Sequence, residues 1–197
     1  FDFENRWGID LGYLGVFPQK LTGAYGIFFS PLLHGDIWHI LSNTFPLLIL
    51  GTALYYFYDV IANKVVIIIY LLSGTLLWLG FSPFPYNDFL VRSSYHIGAS
   101  GVVYGLASFL IFSGIFRKNK ESLAIALAVV FLYGGLLYGI FPIENGTSYE
   151  AHLFGAFSGL IAAFIYKNIP IWKKVNIVDD TPDYRQTKTN YTFIPSQ

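Results

Sequence analysis

Five stretches of this chain run for 16 to 20 residues without Asp, Glu, Lys or Arg: His39 to Tyr58, Val65 to Phe81, Ile97 to Phe116, Leu123 to Phe141 and Ala151 to Tyr166. A helix rising about 1.5 Å per residue needs about 20 apolar residues to cross roughly 30 Å of hydrocarbon. The runs are too long and too evenly apolar for barrel strands, which alternate over about ten residues. The expectation is an all-α polytopic membrane protein with five spans. The last is short, but Lys167 can snorkel and Trp172 can sit among headgroups. Only 12% of the residues are charged, about half the share of a soluble domain.

Lys64 follows the first run, Arg117, Lys118 and Lys120 the third, and Lys167, Lys173 and Lys174 the fifth. The positive-inside rule puts these on the cytoplasmic side. The other side receives residues 1–38, the loop from Ser82 to His96 and the loop from Pro142 to Glu150. It holds only Arg6, Lys20 and Arg92. Residues 1–38, rich in aromatics and glycine, read as an extracytoplasmic interfacial loop region. Residues 39–168 form the transmembrane core, and 169–197 a polar cytoplasmic tail. Twelve basic and twelve acidic residues cancel, leaving no electrostatic footprint for nucleic acid. Cysteine is absent, which removes thiol nucleophiles and thiolate metal sites. Methionine is absent as well, at position 1 included, so the sequence is expected to be a piece of a longer chain.

A polar side chain inside a span is costly and needs a reason. Those present cluster in the opening turns of the three spans that start outside: His39 and Asn43, then Ser100 and Tyr104, then His152. Span order thus brings a hydroxyl, two imidazoles and an amide to one depth. Ser100 lies in Gly98-Ala99-Ser100-Gly101, at a helix start where unpaired amides stabilise developing negative charge. A serine there also serves as a cap or packing device. Gly101 with Gly105, and Gly155 with Gly159 below His152, make small-residue faces for close helix packing. A neutral imidazole is the usual activator of a serine hydroxyl, although an interfacial histidine can equally be satisfied by a loop carbonyl. His39 and Asn43, four residues apart, share a helix face and could donate to an oxyanion with the Ser100 amide. Tyr104, one turn after Ser100, could support the imidazole or simply pack. His34 precedes the first span as a loop-fixing candidate.

Other intramembrane chemistries fit less well. A zinc protease needs two histidines four apart around a glutamate. His34 and His39 are five apart with none between them, so no metal is expected. No span holds an interior carboxylate for an aspartyl protease. Glu150, two residues before His152, points elsewhere on a helix, leaving a Ser/His dyad rather than a triad.

In order, His34, His39-Ile40-Leu41-Ser42-Asn43, Gly98-Ala99-Ser100-Gly101-Val102-Val103-Tyr104 and Ala151-His152 with Gly155 and Gly159 resemble the rhomboid intramembrane serine proteases, over about residues 27 to 168. The resemblance implies a six-helix rhomboid core, with the second to sixth helices in this chain and the first upstream of Phe1. It implies Ser100 as nucleophile, His152 as general base, an oxyanion hole of His39, Asn43 and the Ser100 amide, and Tyr104 stacked beside His152. It implies no cofactor. Partners would be the lipid bilayer and single-span membrane proteins, cleaved near small residues where a helix unwinds easily. The location would be a prokaryotic plasma (inner) membrane, with the site near its extracytoplasmic face beneath a cap formed by the loop from Pro142 to Glu150. One departure is visible: many bacterial members carry Trp-Arg in the first loop, where this chain has Tyr25-Gly26, which leaves that loop's anchoring open. The alternative is a catalytically inactive rhomboid-like protein that binds client helices. A small transporter would instead favour ionisable groups or broken helices at mid-bilayer.

Overall fold

The computed structural model describes residues 10–80, 92–141 and 148–170. Residues 1–9, residues 81–91 with most of the expected loop from Ser82 to His96, the cap residues 142–147 and the expected tail from residue 171 onward lie outside these. The helices, in chain order, are the short α1 (Gly26–Phe29), α2 (Ile37–Phe57), α3 (Ala62–Leu79), α4 (Ser100–Arg117), α5 (Lys120–Tyr133) and α6 (Tyr149–Tyr166). A 3-10 segment, Gly134–Ile140, extends α5. Among the described residues, four segments are long and apolar enough to cross a membrane: Ile37–Phe57, Ala62–Leu79, Ser100–Arg117 and Lys120–Ile140. The fifth expected span is α6. Its first turn carries Tyr149, Glu150 and His152, which dilute its hydropathy; Phe154, Ala162 and Ala163 are buried in the bundle while Phe157, Phe164 and Ile165 are exposed.

Helix α4 forms the axis of the fold. Every residue from Gly101 to Leu110 is buried, as expected of a helix apolar on all sides. Around it pack Leu54 of α2 and Tyr58 just after it, Ile69 of α3, Val129 of α5 and Ala162 of α6, with Phe109 and Leu110 of α4 at the centre. On the periphery, Phe131 of α5 is 88% exposed and Leu48 of α2 66%, apolar surface of the kind that lipid covers. Trp38, at the N-terminal end of α2, is likewise exposed, as suits an aromatic residue at a helix end. At the other end Arg117 donates to the carbonyl oxygens of Tyr166 and Ile169, 2.7 and 2.6 Å away. The guanidinium thereby binds a carbonyl at the C-terminus of α6 and one just beyond it, where a positive charge is favoured.

The interface between α4 and α6 is the most extensive in the molecule. At its tightest points it is backbone against backbone. A Cβ on Gly155 would run into the carbonyl of Gly101, and one on Gly159 into the carbonyl of Gly105. Inside a bilayer, where hydrophobicity gives helices no reason to associate, small residues allow backbones to approach and pack. Ser108 adds an interhelical bond to the Ala156 carbonyl at 2.6 Å.

The loop before α2 is held without the Trp-Arg pair. Val16 and His96 exchange backbone hydrogen bonds of 2.8 and 3.0 Å. The Trp78 indole donates to the Lys20 carbonyl at 2.8 Å, the Tyr70 hydroxyl to that of Phe28, and the Gly98 amide to that of Ser30. These contacts tie the loop to α3 and to the residues leading into α4.

Gly159→Ala is expected to cost about 1–3 kcal/mol by overpacking. Gly51→Ala, where a Cβ meets nothing within 4 Å, should be neutral or slightly stabilising. Denaturation midpoints in detergent check the contrast, and equal midpoints would contradict it.

Candidate active site

Asp36 opens α2, its carboxylate accepting from the His39 amide at 2.8 Å as an N-cap does. The cap fixes the turn that carries His39, and Asn43 follows one turn later on the same face. Asn43 is buried, and its side-chain amide donates to the His39 carbonyl at 2.9 Å. One of its two amide hydrogens therefore remains for another acceptor. The Gly35 amide lies 3.4 Å from His39 Nδ1, which makes Nδ1 the acceptor and leaves the proton on Nε2. That nitrogen faces Gly98, where a Cβ would come within 2.6 Å of it. Gly98 also has φ +109°, in the region L side chains avoid. Glycine is required there twice over, for the turn into α4 and for room beside the imidazole.

Ser100 is the first residue of α4, with Ala99 at the cap position and no side-chain cap, so its amide is among the unpaired donors of the helix. The Ser100 hydroxyl lies 2.9 Å from Nε2 of His152. Nδ1 of the same ring lies 2.8 Å from the carbonyl oxygen of Gly139. A carbonyl can only accept, so Nδ1 carries the proton and Nε2 presents a lone pair to the serine. Tyr104 stacks on the imidazole, ring centroids 4.1 Å apart and planes within 6°. A Cβ on Gly139 would collide with the Tyr104 hydroxyl and approach His152 Nδ1. The 3-10 segment thus uses glycine to bring a carbonyl against the ring.

His39, Asn43, Ser100, Tyr104 and His152 line one cavity of about 620 Å³. Gly101, Gly155 and Gly159 lie in the α4–α6 interface, and Gly98 lies against the His39 ring. His34 does not line it. Its ring meets that of His39 edge to face at 5.0 Å and steadies the latter from outside. Among the described residues no group of three metal-ligating side chains converges.

Four groups at this site were not singled out from the sequence. The Gly139 carbonyl occupies the position a triad gives to an acid, and a backbone oxygen has no sequence signature. Arg92, His96 and Ser148 also line the cavity. The only hint of them was position, since they lie in the loops that deliver α4 and α6. Glu150 does turn away from the His152 ring, and its two oxygens are each 2.8 Å from the guanidinium of Arg92.

A helical bundle built to sit in a bilayer, with a serine and a histidine from two helices within hydrogen-bonding distance in a polar cavity, defines a class of polytopic membrane protein. The Rhomboid domain family matches residues 22–169, and the chain belongs to the rhomboid family. It is 36% identical over 170 residues to an uncharacterized protein of Mycobacterium tuberculosis, covering 80% of this chain and 65% of that one. A Mycobacterium leprae protein, also uncharacterized, is 34% identical over 163 residues, covering 77% and 59%. A rhomboid-named protein of Acanthamoeba polyphaga mimivirus is 31% identical over 163 residues, covering 71% and 81%. The chain therefore spans less than two thirds of the length of the mycobacterial relatives it matches.

His96 is buried, and burial pushes its pKa below the usual histidine value, opposed by its bond to the Arg92 carbonyl and by the charge of Glu150. With the folded pKa depressed, the unfolded chain binds the proton first as pH falls through about 6.5. Stability should therefore decline between pH 7 and pH 5.5, and His96→Gln should shallow that decline. Thermal midpoints across this range test it, and an unchanged slope in the variant would contradict it.

Proposed function

We propose that this protein is an intramembrane serine endopeptidase that cleaves membrane-protein segments through a Ser100–His152 dyad. The reading rests above all on one arrangement: Ser100 Oγ 2.9 Å from an imidazole nitrogen whose other nitrogen is bound to a backbone carbonyl. That bond selects the tautomer able to take a proton from serine, the task an aspartate performs in a triad.

His152 Nε2 removes the Ser100 proton as Oγ attacks the scissile carbonyl carbon. The carbonyl oxygen becomes an oxyanion facing the Ser100 amide, the Nε2–H of His39 and the spare amide hydrogen of Asn43. The imidazolium then protonates the leaving amine as the peptide C–N bond breaks, leaving an acyl-enzyme on Ser100. Water, deprotonated by His152, attacks the ester and releases the acid and the free serine. The cavity supplies the polar space that hydrolysis within a membrane needs.

A helical substrate keeps its carbonyls in its own hydrogen bonds. Preferred substrates are therefore single-span segments that unwind easily near the outer interface, with a small residue before the cut. A protein that only held client helices would have no use for a tautomer-fixed imidazole against a serine.

Reconstituted in vesicles with a single-span substrate, Ser100→Ala should abolish cleavage. His152→Ala should lower it by about 10²–10⁴-fold, and Asn43→Ala by about 10²–10³-fold in kcat with little change in KM. Cleavage retained at the wild-type rate by Ser100→Ala or His152→Ala would overturn the assignment.

A further inference from the structure

The dyad joins the first turns of two helices, where helical hydrogen bonding is weakest. The glycine seam fixes α4 and α6 along their length from Gly101 and Gly155 inward, while Ser100 and His152 lie at its outer end. Beyond them the two incoming chain segments are joined by a ring of four side chains. Arg92 and Glu150 form a two-pronged ion pair, Nε to Oε1 and Nη2 to Oε2, both 2.8 Å. Glu150 is 1% exposed. The ring of His96 bonds the Ser148 hydroxyl through Nδ1 at 2.6 Å and the carbonyl of Arg92 itself through Nε2 at 3.1 Å. Since that carbonyl only accepts, Nε2 carries the proton and Nδ1 accepts from Ser148. Arg92 therefore takes part in both links, by side chain to Glu150 and by backbone to His96.

Position along the chain gives the ring its purpose. His96 precedes Ser100 by four residues, and Ser148 and Glu150 precede His152 by four and two. Ser148 occupies the cap position of α6, where a serine usually bonds its own helix, yet it makes no such bond and its hydroxyl goes to His96. A local cap has been given up for a link between helices. A buried carboxylate is tolerated only when paired and hydrogen-bonded, so Glu150 holds Arg92 in one geometry.

We propose that Arg92, Glu150, His96 and Ser148 are positioning residues for the dyad, a latch that holds the mouth of α6 to the mouth of α4 and so keeps His152 Nε2 in reach of Ser100 Oγ. This rests on the peptidase reading above. The hydrogen bonds of the His152 ring go to Ser100 and Gly139, not to the latch. The latch acts through the backbone that carries Ser100 and His152, because angular freedom in a proton-transfer pair is costly to rate.

The test uses the full chain in lipid vesicles, with Glu150→Gln, which keeps shape and loses charge, and the milder Ser148→Ala. A fluorophosphonate in excess reports the fraction of competent molecules by its labelling amplitude and serine reactivity by its rate. Cleavage of a single-span substrate gives kcat and KM per competent site. The latch requires amplitude close to wild type, with labelling rate and kcat per site reduced at least tenfold in Glu150→Gln and about threefold in Ser148→Ala, and KM within twofold. Reduced amplitude with unchanged rate per site would mean a merely structural role and overturn the proposal. So would a raised KM with unchanged kcat, which would make Arg92 a substrate contact, or unchanged rates in both variants. Failure of the peptidase reading itself looks different, because wild-type protein would then neither label nor cleave.

Discussion

The distance at which α4 and α6 pass each other governs everything above them. Two helices bearing ordinary side chains keep their axes 8–10 Å apart, and side-chain bulk would separate any pair of groups at their tips. Here Gly155 and Gly159 put backbone against the carbonyls of Gly101 and Gly105. The close approach sets a serine on one helix within hydrogen-bonding distance of an imidazole on the other. The same seam excludes lipid and leaves α4 buried, so stability and site geometry have a single structural source.

Around that contact three polar groups are each answered by another group of the chain. The Gly139 carbonyl from the 3-10 turn orients His152, the Arg92 carbonyl orients His96, and the guanidinium of Arg117 closes the far end of α6. In a bilayer, where an unanswered group costs several kcal/mol, such bonds also set which loops can sit where. The first loop, lacking Trp-Arg, is fixed through backbone exchange with His96, the residue that also binds Ser148. The loop and the latch therefore share a member.

Much of the fold was legible because charge is costly in lipid. The gaps between Lys64, Arg117, Lys120 and Lys167 mark where helices turn, and Gly-Ala-Ser-Gly and Ala-His mark where two of them begin. The helix starts differ by a few residues from the charge-free runs, since α2 begins at its Asp36 cap and α4 only after the positive-φ turn at Gly98. The fourth run reads as one helix, but the structure tightens to a 3-10 segment after Tyr133, where Gly134 and Gly135 weaken the helix. The fifth run understates α6, which starts two residues earlier, at Tyr149, with a polar first turn that carries Glu150 and His152. At the site, residue type and helical spacing pointed to Ser100, His152, His39, Asn43 and Tyr104. They could not point to Gly139, which acts through its backbone. Nor could they point to the ring of Arg92, His96, Ser148 and Glu150, whose members are brought together across more than 50 residues of chain by the fold itself.

Covalent trapping followed by peptide mapping tests the central claim most directly. Wild-type protein in lipid vesicles, treated with a fluorophosphonate and digested, should carry the phosphonyl mass on Ser100 and on no other serine, with the adduct lost in His152→Ala. An adduct on a different serine, or none from protein that cleaves its substrate, would contradict the account.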